Sequence, residues 1–194
     1  FVVFKIDYRG HANSEGEADG SYYSPGYTID AISAFKSLQM LDGVDPDGIG
    51  MWGHSMGGNV LLRAMLVEPE IKAGVIWAGA VYSYTDFVTY GIENRTYEPR
   101  QLGGEGDPPR PSQVIYETHG PPDLTQPYWQ AVSLTENINY LGGPLQIHHA
   151  EDDTVVNIGY SYDLAAVLQE HGKVYEFYTY EAVSYTHLRA HETK

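Results

Sequence analysis

The stretch Gly48-Ile49-Gly50-Met51-Trp52-Gly53-His54-Ser55-Met56-Gly57-Gly58 constrains this chain more than any other. It reads as a short buried strand, a sharp turn and the start of a helix. Within it, Gly53-His54-Ser55-Met56-Gly57 matches G-x-S-x-G, in which a serine is held at a strained strand-to-helix turn. Side chains two places before and two places after the serine are expected to collide with neighbouring backbone, so both places require glycine. The strain lifts the Ser55 hydroxyl above the sheet edge. The helix that begins at Ser55-Met56 points its free N–H groups at the same spot. Asp47-Gly48 supplies a turn, Ile49 to Trp52 a buried strand, and Asn59 to Val67 has helical spacing that ends at Pro69. The overlapping Gly48-x-Gly50-x-x-Gly53 imitates a dinucleotide fingerprint. That fingerprint follows a strand and opens a helix; here its glycines fall inside the strand, behind Asp45-Pro46-Asp47, so nucleotide binding is set aside. An inert serine in a Gly-rich loop is the bland alternative for the stretch.

Strand and helix alternate around this point, which implies crossover connections and a mostly parallel sheet with helices on both faces, an α/β fold. Phe1 to Ile6 reads as a strand, followed by the polar loop Asp7 to Gly16. Tyr27 to Leu41 reads as a helix with Ile29, Ile32, Phe35 and Leu38 on one face, its start marked by Ser24-Pro25-Gly26 with the proline just inside. Ala73 to Ala80 and Gly143 to His149 are apolar strands, Asn157 to His171 a helix closed by Gly172, and Lys173 to Tyr180 a last strand. Between Val81 and about Thr135 the alternation stops. That segment holds a Pro/Gly patch at 103–111 and many aromatics, among them Tyr82, Tyr84, Phe87, Tyr90, Tyr97, Tyr116, Tyr128 and Trp129. It reads as an irregular lid over the serine that gives aromatic walls to a pocket; a surface insertion is the alternative. Asn94-Arg95-Thr96 is a glycosylation sequon, meaningful only in a secretory pathway.

Composition narrows the partners. With 194 residues the chain is one domain or most of one, and 26 acidic against 11 basic residues give a net charge of −15. Nucleic acid needs a basic face, so it is excluded as a partner. No apolar run approaches the roughly 20 residues that span a bilayer. Cysteine is absent, which excludes disulfides and leaves the compartment open. No cofactor is expected, and the expected partner is a small molecule or short peptide. The chain opens on a strand pattern without a lead-in, so the first strands of the fold are expected to precede Phe1. From about Val183 onward the residues resemble translated sequencing adapter and are expected to be foreign to the protein. The domain is therefore expected over 1–182, with 183–194 as a non-native tail.

Three segments carry a family likeness: Asp7-Tyr8-Arg9-Gly10-His11, Gly53-His54-Ser55-Met56-Gly57-Gly58, and Ile147-His148-His149-Ala150-Glu151-Asp152-Asp153-Thr154-Val155. Together they resemble an α/β-hydrolase of the prolyl oligopeptidase-like family, over about Phe1 to Tyr180. The resemblance implies a serine hydrolase, with chain order serine, acid, histidine. The family's acid loop commonly reads H-G-x-x-D-x-x-V. Counted onto this chain with His149 at the usual glycine, the acid is Asp152, ahead of Asp153. A metal site on His148, His149, Asp152 and Asp153 is disfavoured because adjacent strand residues point to opposite faces. The resemblance places the histidine base just after the last strand. His187 and His191 lie there but in no family-like motif, and His11 and His54 occupy positions with other roles, so no base is assigned and the chain alone is expected to be inactive. One oxyanion donor is the backbone N–H of Met56; the second is expected before Phe1. By resemblance the substrates are short peptides, with carboxylic or carbohydrate esters as the alternative and a non-catalytic binding module as a second.

Overall fold

In the computed structural model, residues 2–18, 20–92, 109 and 111–181 are described. Four strands, β1 (Met51–His54), β2 (Gly74–Trp77), β3 (Leu145–Ala150) and β4 (Tyr175–Tyr180), form one sheet in the order β1-β2-β3-β4. Every pairing is parallel, and Gly53, Ile76, Ile147 and Phe177 align across it. Helix α1 spans Gly26–Gln39 and α2 spans Met56–Val67. Between β2 and β3 come α3 (Tyr84–Tyr90), α4 (Pro111–His119), α5 (Pro127–Val132) and a 3₁₀ turn at Thr135–Tyr140; α6 (Gly159–Glu170) links β3 to β4.

Alternate strand residues divide the sheet into two faces. Ile76, Leu145 and Ile147 meet Leu61, Leu62 and Met65 of α2 and Leu164 and Leu168 of α6 in one buried cluster. Each such side chain contributes about 1.5–3 kcal/mol on leaving water. The described helices gather on this face. The other face presents Trp52, Trp77, His148, Tyr178 and Tyr180, with Trp52 58% and Tyr178 44% exposed. The parallel sheet and its crossover helices match the expected α/β architecture, with one face covered rather than two among the described residues.

Several local expectations are corrected. Residues 2–6 form no strand, and Val2, Val3 and Phe4 are exposed. The β-branched pattern is strand-competent, but a strand exists only through a ladder, and no described neighbour pairs with it. Ile6 and Tyr8 instead pack beside Tyr27, Ala31, Val60 and Met56. In α1 the buried face is Tyr27, Thr28, Ala31 and Phe35, while Ile29 is 50% exposed. Ile32 and Leu38 still lean on the core. Pro25 sits at the cap rather than just inside, and the Ser24 hydroxyl accepts from Gly26 N–H at 3.1 Å.

The segment expected to be irregular is partly helical. Its order comes from aromatic packing: Trp129 is fully buried, with ring centroids 5.0 Å from Tyr84, 5.2 Å from Tyr128 and 5.8 Å from Tyr116. The sequon at 94–96, Tyr97, most of the Pro/Gly patch at 103–111 and the tail from Val183, with His187 and His191, lie outside the described residues. Among the described residues no helix is long and apolar enough to cross a membrane.

Helix α3 is fastened to α6 by a polar cluster. The Tyr90 hydroxyl donates to Asp163 Oδ2 at 2.8 Å, and the Tyr160 hydroxyl donates to Gly91 O at 3.0 Å. Asp86 lies in the same cluster, where burial and then the Asp163 charge push its carboxyl up to about 6. A raised carboxylic pKa means that the folded chain holds the proton more tightly than the unfolded one. Its contribution to stability is therefore present at low pH and is lost as pH rises from about 4 to about 6. Relative to Asp86→Asn, the wild type should lose about 1 kcal/mol across that window, the pKa shift being discounted for partial exposure. Urea denaturation of both proteins at pH 4.5 and 7.5 measures the difference; an unchanged difference refutes the coupling.

Candidate active site

At the carboxyl end of β1 the chain turns through Ser55, whose backbone takes φ 53° and ψ −120°, and enters α2 at Met56. A non-glycine residue at positive φ is strained, and here the strain holds Ser55 at the strand-to-helix corner. The turn is fixed from outside by Ser55 N–H, which donates to Trp77 O at 2.9 Å on β2. Ser55 is half-buried, and its hydroxyl makes no hydrogen bond to another described residue. The first N–H groups of a helix lack intrahelical acceptors. The Met56 amide is one of these, and it opens beside the serine.

The glycines obey a different rule from the one expected. A Cβ on Gly53 would lie 2.3 Å from Gly57 O and 2.5 Å from Gly57 C, both backbone atoms, so Gly53 is obligatory. At Gly57 a Cβ would meet nothing within 4 Å, which corrects the expectation that this glycine is sterically required. The crowded position is the next one: a Cβ on Gly58 would come within 2.9 Å of Gly79 Cα and of Ile76 Cγ2. Helix α2 therefore approaches β2 through Gly58, while Gly57 faces outward.

The acid loop follows β3. Asp152 is exposed in the turn. Asp153 is committed locally: its side chain is 3% exposed, and Oδ1 accepts from Val155 N–H at 2.8 Å and Val156 N–H at 3.0 Å. Its Oδ2 lies 3.7 Å from His149 Nε2. His149 is buried, with Nδ1 2.7 Å from the Ser161 hydroxyl and Nε2 2.9 Å from Val156 O. Because Val156 O only accepts, Nε2 carries a proton, and burial pushes the imidazole below its ordinary pKa. The sequence reading placed His149 at a glycine position and missed its bracing of this loop; its parity on the buried face of β3 was the available signal. His148 points to the other face, stacked between Tyr178 and Tyr180. The two histidines do not converge.

This division of labour predicts different outcomes for the two carboxylates. Asp153→Ala strands two inward N–H groups and should cost about 1–3 kcal/mol. Asp152→Ala should leave the denaturation midpoint unchanged. Chemical denaturation of both variants decides it, and equal losses would refute the assignment.

The loop at 7–11 borders the elbow. Arg9 Nη2 donates to Asp30 Oδ1 at 2.7 Å, His11 Nε2 lies 2.6 Å from the Tyr27 hydroxyl, and Tyr8 stacks on Tyr27 at 4.5 Å. Tyr27 shares its cluster with Met56, so this loop backs the residue after the serine. His11 is thus engaged in holding α1, and His54 Nε2 is buried in the sheet. An aromatic-walled cavity lies among these elements, but Ser55 is not among its lining residues, so it is not the pocket over the serine that the sequence led us to expect.

Comparison with known proteins agrees with this architecture. The sequence profile of the prolyl oligopeptidase family matches residues 1–188. The uncharacterized peptidase YtmA of Bacillus subtilis (strain 168) is 30% identical over 188 residues, covering 96% of this chain and 65% of that protein. The chain thus spans less than two thirds of that relative's length. Among solved structures, a puromycin-hydrolyzing peptidase of Mycobacterium tuberculosis superposes with a TM-score of 0.62 at 20% identity, over 84% of this chain and 22% of that one. Est1E from Butyrivibrio proteoclasticus, solved with ferulic acid, superposes with a TM-score of 0.64 at 19% identity, over 92% of this chain and 66% of that one. At these identities the superpositions establish a shared α/β-hydrolase fold.

Proposed function

The chain belongs to the prolyl oligopeptidase family of serine hydrolases, and from that premise we propose that it cleaves short peptides through an acyl-enzyme on Ser55. The observation that carries this reading is the Ser55 backbone, bent to φ 53° at the carboxyl end of a parallel strand with a helix N-terminus beside it. In the proposed reaction a histidine base takes the hydroxyl proton as Oγ adds to the substrate carbonyl carbon. The Met56 N–H holds the resulting oxyanion, the amine departs with the proton, and water then releases the acid. Asp152 orients that histidine. Its exposure supports the role, since it is free to meet a partner, whereas Asp153 is occupied by Val155 and Val156.

The base is assigned to no described residue, because no imidazole among them is hydrogen-bonded to Ser55. On the family resemblance, which matches no histidine of this chain to the base, we expect the 194-residue chain by itself to react slowly with a fluorophosphonate. The test is the same reagent on a protein that carries this stretch together with the family's histidine, followed by peptide mapping. An adduct on Ser55, lost in Ser55→Ala and slowed at least about 100-fold in Asp152→Asn, supports the reading. An adduct that persists in Ser55→Ala refutes it, and the absence of any adduct favours a non-catalytic module. An elbow of this kind opens esters as well as amides. Turnover of p-nitrophenyl esters with no cleavage of short peptides would move the assignment to an esterase.

A further inference from the structure

A cavity of about 590 Å³ lies outside the serine site, between the carboxyl half of α2, residues 22–25, the start of α3 and α5. Arg63 stands eight residues beyond Ser55 on α2, about 12 Å along the helix axis, and Ser55 is not among the residues that line the cavity. Its volume falls in the range of small-molecule sites. Tyr22, Tyr23, Tyr84 and Tyr128 supply aromatic walls, Val132 supplies aliphatic surface, and Arg63 is the one cation lining it among the described residues.

The state of Arg63 gives the cavity its chemistry. Nη1 donates to Ser21 O at 2.7 Å and to Ser24 O at 3.2 Å, and the Tyr84 hydroxyl lies against the same guanidinium. These partners are neutral. No carboxylate among the described residues pairs with Arg63, although the chain as a whole is strongly acidic. A guanidinium has five N–H donors; both Nη1 hydrogens are used by carbonyls and the Tyr84 hydroxyl engages the group as well, which leaves part of the donor fork on Nη2 and Nε to serve a ligand. A half-buried positive charge with neutral partners, set among tyrosine rings, is complementary to a carboxylate attached to an aromatic body.

We propose that this cavity is a second binding site, for a small aromatic carboxylate held by its acid group at Arg63 and by its ring among Tyr23, Tyr84 and Tyr128. The ligand is bound there and not hydrolysed, because Ser55 is not among the residues that line the cavity. The site is independent of the acyl-enzyme reading: a failure of either leaves the other standing.

The test is isothermal titration of the 194-residue chain with N-acetyl-L-phenylalanine and with its amide as probes. The acid should bind at least tenfold more tightly than the amide. Arg63→Gln should reduce the acid to the affinity of the amide. Because Arg63 also holds residues 21–24, Val132→Trp is the second variant; it fills the cavity from α5 and should abolish binding while the melting temperature is retained. Ser55→Ala should bind as the wild type does, separating this site from the elbow. The proposal is overturned if acid and amide bind alike, if neither binds at millimolar concentration, if binding survives Val132→Trp, or if it is lost in Ser55→Ala.

Discussion

Gly53→Ala will prevent the elbow from forming, whereas Gly57→Ala will be tolerated. The contrast follows from what the added methyl meets. At Gly53 it would press into the carbonyl of Gly57 at 2.3 Å and the amide of Gly58 at 2.9 Å, neither of which can rotate aside. Relief requires β1 and α2 to separate, and this would open the cluster around Leu61, Leu62 and Ile76. The cost of such overpacking is about 3 kcal/mol or more, a large part of the stability of a domain this size. At Gly57, in the first turn of α2, alanine finds open space and gains up to about 1 kcal/mol of helix propensity. Circular dichroism with thermal melting compares the two. Equal destabilisation would show that the second glycine of the motif is sterically required after all.

The second large effect concerns Ser55. If Ser55 is the proposed nucleophile, Ser55→Ala should lower turnover by about 10⁶-fold in a protein that carries this stretch with its base, the scale seen when a serine nucleophile is removed. The backbone strain remains in that variant, since alanine is no better suited to φ 53° than serine. Ser55→Gly should lose the same activity but relieve the strain. Such conformations cost about 1–3 kcal/mol in a non-glycine residue, and glycine gives back about 0.5–1 kcal/mol in chain entropy. A net gain of about 1 kcal/mol corresponds to a melting temperature about 2–4 °C higher. Scanning calorimetry on the three proteins measures it. A glycine variant no more stable than the alanine variant would show that the turn is not strained.

What could be read from the sequence was what is decided locally. The strand, turn and helix at 48–67 were legible because the residue types there admit few alternatives, although β1 still needs β2 as its partner and Trp77 O holds the turn. The loop after β3 was likewise legible, though not the division between an exposed Asp152 and an Asp153 tied to Val155 and Val156. What failed was set at long range. Residues 2–6 have strand composition, but pairing is a property of two segments. The roles of Gly57 and Gly58 depend on where α2 meets β2, which the spacing of a motif does not encode. Helices α3, α4 and α5 are organised by rings meeting across tens of residues, such as Tyr23 and Tyr116, and by the burial of Trp129, so local periodicity missed them. Ile29 was assigned to the wrong side of α1 because several faces of that helix carry apolar residues.

The uneven covering of the sheet gives the chain two optical populations. Trp129 is sealed among tyrosines, while Trp52 and Trp77 sit side by side on the open face. The Trp77 ring lies 5.1 Å from His148, whose burial holds its titration below the ordinary imidazole range. Indole emission from that face is therefore expected to respond to acid through His148, which lies beside Trp77. The protein thus carries its own fluorescent reporters, one for the sheet and one for the aromatic cap, without any label being introduced.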